Sequence, residues 1–156
     1  MTSGIEVRSL EERDIESVIR IVRAVTGEAS EGFWRGMLRA YRMGEENLPD
    51  ALSPSLCQVA VREGAVIGFM IGDVQSWQFG IPRCGRIVAV GIHPDHRRSG
   101  AGRQLANAFF EQFRRLRVPV VQCMVRPGDP LGEFFASVGF EAGDWITLTR
   151  PLEPGP

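Results

Sequence analysis

Apolar residues recur along this chain with two periods. Ile15, Val18, Ile19, Val22 and Val25 fall at i, i+3, i+4, i+7 and i+10, which is one face of a helix. Asp14 stands ahead of that face as a cap or starting charge, and Gly27 follows it as a stop. Trp34, Met37, Leu38 and Tyr41 repeat the helical spacing up to Gly44, so they read as core-facing positions of a second helix. Over 100–117, Leu105, Phe109, Phe113 and Leu116 share a face, with Arg103, Gln104, Asn107, Glu111, Arg114 and Arg115 mostly off it. A short helix is expected over 131–138. Strand-like stretches occupy 5–10, 56–62, 66–72, 86–92, 118–125 and 145–149. Glu63 and Gly64 sit between the second and third of these as a hairpin signal. Residues 45–54 are polar with two prolines and read as a loop. Residues 73–83, with Trp77, Phe79, Gly80 and Pro82, read as a longer connection.

The resulting order is strand, two helices, three strands, helix, strand, helix, strand. It predicts a mixed α/β (α+β) layer with an antiparallel run in the middle. The strict alternation of a dinucleotide-binding fold is absent. The 156 residues fit one domain spanning 1–156.

Composition narrows the function more than the fold. Hydrophobic residues at 44% and charged residues at 24% are ordinary for a soluble globular chain. No apolar run approaches membrane-spanning length, and the first residues lack the apolar core of a signal peptide, so no membrane partner is expected. A net charge of −1 gives no support to nucleic-acid binding. All 18 basic residues are Arg. Without Lys, a Walker phosphate loop, a pyridoxal Schiff base and the usual kinase strand are excluded. Cys57, Cys84 and Cys123 are odd in number and form no Cys-x-x-Cys, so free thiols in a reducing cytoplasm are expected. His93 and His96 do not complete a zinc site with such scattered cysteines, and no metal is expected.

The chemistry concentrates in residues 88–105. A strand is followed by His93-Pro94-Asp95-His96, then Arg97-Arg98-Ser99-Gly100-Ala101-Gly102-Arg103 and a helix. The first turn of a helix leaves N–H groups unpaired and carries partial positive charge, which suits phosphates. Gly100 and Gly102 remove side chains where a pyrophosphate would touch the backbone, and Arg97, Arg98 and Arg103 add full charges. A Rossmann site fits poorly, because Leu105 stands where the third glycine belongs and seven residues separate Ile92 from Gly100. A merely structural basic turn is the plainer alternative.

The turn also carries a resemblance. Arg97-Arg98-Ser99-Gly100-Ala101-Gly102 matches the [Gln/Arg]-x-x-Gly-x-[Gly/Ala] signature of the GNAT superfamily of N-acetyltransferases. Val90-Gly91-Ile92-His93-Pro94 looks like that family's fourth strand and its exit. Phe134-Phe135-Ala136-Ser137-Val138-Gly139-Phe140 is similar to its late aromatic signature, and Val7-Arg8-Ser9-Leu10 with Asp14-Ile15 to its start. The chain is most similar to the subgroup containing ribosomal-protein N-terminal acetyltransferases. The resemblance implies a mixed sheet of six to seven strands with about four helices, splayed between strands 4 and 5. It implies acetyl-CoA as cosubstrate and a primary amine as acceptor, and leaves a homodimer open. Backbone groups of Val90 and Ile92 would pair with the pantetheine, with Gly91 as a bulge, and N–H groups from Arg98 to Arg103 would hold the pyrophosphate.

Three positions depart from the family pattern. The proton-donating Tyr falls on Phe135, the usual Asn on Gly128 beside Asp129, and the fifth-strand Glu on Cys123. The base is then sought among Asp73, at the end of the third strand, and His93, at the exit of the fourth; the plain reading of each is a turn residue. His96 reads as a phosphate-side or solvated loop residue and Cys123 as core packing. Trp77, Phe79, Gly80 and Pro82 line an acceptor pocket or cover the core. Glu45, Glu46 and Asp50 attract a cationic amine or form a solvated loop. With a weak base, the neutral-amine penalty at pH 7 matters. It is about 3.4 pH units for a Lys amine and about 1 for an α-amine, which favours α-amines. The rival reading is an acyl-CoA sensor that has lost turnover.

Overall fold

The computed structural model describes residues 4–46, 55–76, 79–81 and 83–153. The element order is β1 (Ile5–Ser9), a 3-10 turn (Glu12–Asp14), α1 (Ile15–Thr26), α2 (Glu31–Glu46), β2 (Ser55–Arg62), β3 (Ala65–Gln75) and β4 (Cys84–Ile92). A second 3-10 turn (Pro94–His96), α3 (Ala101–Arg115), β5 (Val121–Gln122) and α4 (Pro130–Ser137) follow. The chain divides into two compact units, one up to residue 124 and one from 125 onward.

In the first unit, β1 to β4 form an antiparallel meander and β5 lies parallel beside β4. Glu63 and Gly64, with φ of 50° and 79°, make the two-residue turn that joins β2 to β3, as a right-twisted hairpin requires. The stripe of α1 is buried through Ile15, Val18, Ile19, Ile21 and Val22, against Val59, Phe69 and Ile71 of the sheet. Gly27, at φ 88°, stops α1 and donates to the Arg23 carbonyl at 2.8 Å. Trp34, Met37 and Tyr41 of α2 pack on the same core, around the fully buried Leu38.

The apolar ridge of α3 meets glycines of the sheet. Leu105 reaches Gly68, Phe109 reaches Gly72 and Phe113 reaches Gly85. A methyl group on Gly85 would sit 2.8 Å from the Phe113 ring, so those glycines set the depth at which α3 seats.

Several expectations change. The described residues hold five strands, in place of six to seven. Residues 145–149 take no strand; Trp145, Ile146 and Leu148 are 62%, 81% and 86% exposed, since β propensity needs a partner ladder to act on. The strand sought at 118–125 shrinks to Val121–Gln122; Pro119 has no N–H for a ladder. Asp73 lies inside a lengthened β3, where a connection was expected, because β3 and β4 stay paired out to Gln75 and Cys84. The bulge is not at Gly91. Ile71 faces Ala89 and Gly72 faces Ile87, which leaves Val88 as the extra residue. Gly91 is instead paired with Phe69, and its missing side chain makes room for that ring.

The second unit is built on α4. Asp129 caps it, its carboxylate accepting from the Leu131 N–H at 2.8 Å, and Pro130 fills the first helical position. Phe135 packs edge-on against Phe134 and Phe140, with ring centroids 5.2 and 5.1 Å away.

Candidate active site

The site grows from the exposed edge of β4. β5 pairs with β4 only at Gly85 and Arg86, and from Ile87 to Ile92 that edge has no sheet partner among the described residues. The sheet therefore opens between the two strands just past Arg86. Backbone groups alternate sides along a strand. The His93 N–H donates to the Ile67 carbonyl of β3 at 2.8 Å, so Gly91 also turns its polar groups toward β3. Val90 and Ile92 turn theirs to the open side. An extended amide chain laid there would find an N–H and a C=O at each of these two residues.

At the end of that edge lies the basic turn. Arg98 at φ 61° and Gly100 at φ 90° reverse the chain into α3. The Ser99 hydroxyl takes the Ala101 N–H at 3.3 Å, and Gln104 is the first residue to donate back into the helix, to the Gly100 carbonyl at 3.0 Å. The first turn of α3 holds no acidic residue; Gly102 and Arg103 follow Ala101 there. Arg97 and Arg98 are exposed and meet no carboxylate among the described residues. Cations at a helix N-terminus oppose its dipole, each by about 0.3–1 kcal/mol. A bound anion reverses that sign. No atom lies within 4 Å of where a Gly100 side chain would begin, so an anion can approach the backbone. The residues here fit the pyrophosphate of CoA.

Asp73 and His93 do not share a site. Asp73 is paired with Arg86 and His93 follows Ile92, so they stand about 23 Å apart along β4. His93 is next to the basic turn. Its Nδ1 accepts from the Asp95 N–H at 3.2 Å, and its ring lies 6.0 Å from that of His96.

Asp73 is the buried centre of a half-buried polar cluster that the sequence pattern did not reveal. Its Oδ1 accepts from Arg86 Nε at 3.0 Å and Gln75 Nε2 at 3.1 Å; its Oδ2 accepts from Arg86 Nη2 at 2.9 Å and the Tyr41 hydroxyl at 3.0 Å. Burial pushes the carboxyl up, but Arg86, Gln75 and Tyr41 together outweigh it and hold Asp73 below the ordinary carboxylate range. Burial, and then the Asp73 charge, push the Tyr41 phenol up to about 12. Tyr41 had read as core because its spacing is helical. The signal that identifies the cluster is the opposite charge of Asp73 and Arg86, which meet once the hairpin is carried past residue 72.

Other candidates are placed as follows. Burial pushes the Cys123 thiol up to about 11, so it is protonated at neutral pH. Phe79 is exposed, with φ 46°. Trp77, Pro82, Asp50 and the side chains of Glu45 and Glu46 lie outside the described residues. No group of three or more His, Cys, Asp or Glu able to hold a metal occurs among the described residues. No helix among them is long and apolar enough to cross a membrane.

Solved structures share this architecture. An acetyltransferase from Trypanosoma brucei is 20% identical, with a TM-score of 0.70 over 94% of this chain and 99% of that chain. A ribosomal-protein-alanine N-acetyltransferase from Brucella melitensis is 14% identical, with a TM-score of 0.73 over 96% and 99%. AAC(6')-Iy, solved with a bisubstrate analog, CoA-S-monomethyl-acetylneamine, is 12% identical, with a TM-score of 0.78 over 95% and 98%. At these identities the likeness is one of fold. No curated protein matches the chain significantly. The fold is the one these solved acetyltransferases share. Residues 26–140, well over half of the chain, match the acetyltransferase (GNAT) family model. The chain belongs to that family and is an acetyltransferase.

Proposed function

We propose that this chain is one N-acetyltransferase domain over 1–156 that acetylates the α-amine of a protein or peptide, in the cytoplasm. The observation that carries the reading is the open β4 edge, with Val90 and Ile92 directed outward, running into the basic turn at 97–103. Acetyl-CoA supplies the activated acetyl group. Val90 and Ile92 bind its amide arm through their backbone, with Gly91 between them. Arg97, Arg98, Ser99, Gly100, Ala101, Gly102 and Arg103 take the pyrophosphate. The spacing of Cys57, Cys84 and Cys123, odd in number and without a Cys-x-x-Cys, suits a reducing compartment.

The pantetheine arm separates pyrophosphate from thioester, so the reacting carbon belongs toward Ile87 and Val88, away from His93. His93 then serves the phosphate end. Asp73, held as an ion-paired carboxylate, is a weak base for an amine. We assign it a positioning role, and the acceptor enters as the neutral amine. That favours α-amines, whose pKa near ~8 leaves about a tenth neutral at pH 7, over Lys amines near ~10.4. A small-molecule amine is the second acceptor class, since AAC(6')-Iy holds an aminoglycoside-like bisubstrate analog on the same fold.

The test is acetyl-CoA consumption with peptides offering an α-amine, peptides offering only a Lys amine, and aminoglycosides. Faster turnover of α-amine peptides is expected, by about tenfold or more. Acetyl-CoA binding without turnover of any amine would replace the enzyme with a sensor.

A further inference from the structure

We infer that Arg86 is the acceptor-recognition residue and selects amines that carry a carboxylate close to the reacting nitrogen. The inference rests on the transferase reading above and names its substrate class. Arg86 is the last β4 residue paired with β5, opposite Gln122, so it stands where the sheet begins to open. It lies about 20 Å along β4 from Ile92, at the end away from the pyrophosphate turn.

A guanidinium offers two forked edges. Asp73 occupies the one made by Nε and Nη2. The edge made by Nη1 and Nη2 meets no carboxylate among the described residues, and the Tyr41 hydroxyl lies beside the guanidinium. The two partners differ in exposure: the Asp73 side chain is 11% exposed and that of Arg86 is 45%. The carboxylate is thus the buried anchor and the cation is the part presented outward. Tyr41 from α2 and Gln75 hold Asp73 from two further directions, so the fork keeps its orientation. A planar, preorientated fork fits an acceptor carboxylate bidentately.

The test uses peptide pairs with matched α-amines. Ala-Asp-amide is compared with Ala-Asn-amide, and Ala-Gly with Ala-Gly-amide, by kcat/KM for acetylation. Each pair differs in one carboxylate. A charge-assisted hydrogen-bonded contact predicts a preference for a carboxylate peptide of about 10- to 100-fold in at least one pair. In Arg86→Gln that ratio should drop to near one, and Arg86→Lys should restore part of it. Equal rates within both wild-type pairs would overturn the inference, and so would a preference that survives Arg86→Gln. The wild-type comparison needs no variant to fold. Calorimetric binding of acetyl-CoA is measured in parallel. Tight coenzyme binding with no carboxylate preference removes only the role of Arg86, whereas loss of coenzyme binding removes the transferase reading itself.

Discussion

Tyr41 is the one tyrosine in the chain, which makes its environment directly observable. Its hydroxyl donates to a carboxylate that is almost wholly buried. Ionising the phenol would set two negative charges within hydrogen-bond distance. The phenolate absorbance should therefore rise near pH 12, and in Asp73→Asn it should rise at lower pH. A wild-type midpoint near the ordinary ~10 would show that the contact does not persist in solution. The same substitution strips the Arg86 fork of its anion and should lower stability by about 1–3 kcal/mol in urea unfolding. Neither effect is readable from spacing alone. A tyrosine at the end of an apolar helical stripe is equally at home in a core. Only the packing of α2 over the hairpin brings its hydroxyl to Asp73.

At the scale of single elements, two glycines carry opposite demands. Gly72 allows close approach: a side chain there would run into the Arg86 carbonyl and the Phe109 ring, neither of which can retreat. Gly72→Ala should lose about 1–3 kcal/mol by strand displacement, with the fork beside it disturbed. Gly100 has open space around it, and its constraint is φ of 90°. Gly100→Ala should cost about 1 kcal/mol and weaken acetyl-CoA binding severalfold, because the strained turn tilts the first N–H groups of α3. Calorimetry with CoA separates the two sites: Gly72→Ala acts on stability first and Gly100→Ala on binding first. The turn was legible in the sequence because glycine spacing, arginines and helical periodicity are all local. The bulge at Val88 was not, since a bulge is a mismatch between two strands and neither strand shows it alone. Gly91 drew that reading because glycine marks bulges and close approaches equally well.

Across the molecule, buried carboxylates set the acid limit. Asp14 is 4% exposed, accepts from Arg8 Nη1 at 2.6 Å and Nη2 at 3.0 Å, and takes the Glu11 N–H at 2.8 Å. Burial raises its pKa, but Arg8 and the Glu11 N–H more than offset this, and the net shift is downward, as for Asp73. Both groups hold protons less readily folded than unfolded. The stability they lend is complete above the unfolded value near ~4 and is lost as pH falls through the lower folded values. Urea midpoints should be flat from about pH 7 to 5 and fall below about pH 4. Asp14→Asn should flatten part of that fall.

The order of elements up to α4, most of the buried faces of α1, α2 and α3, the β2–β3 turn and the basic turn at 97–103 follow from the sequence. Each depends on residues within a few positions of one another, where periodicity, glycine and charge act directly. The number of strands, the length of β3, the open edge of β4 and the Tyr41–Asp73–Arg86 cluster were decided by tertiary structure. Pairing a strand or burying a charge depends on which distant segment arrives beside it, and no local pattern encodes that partner.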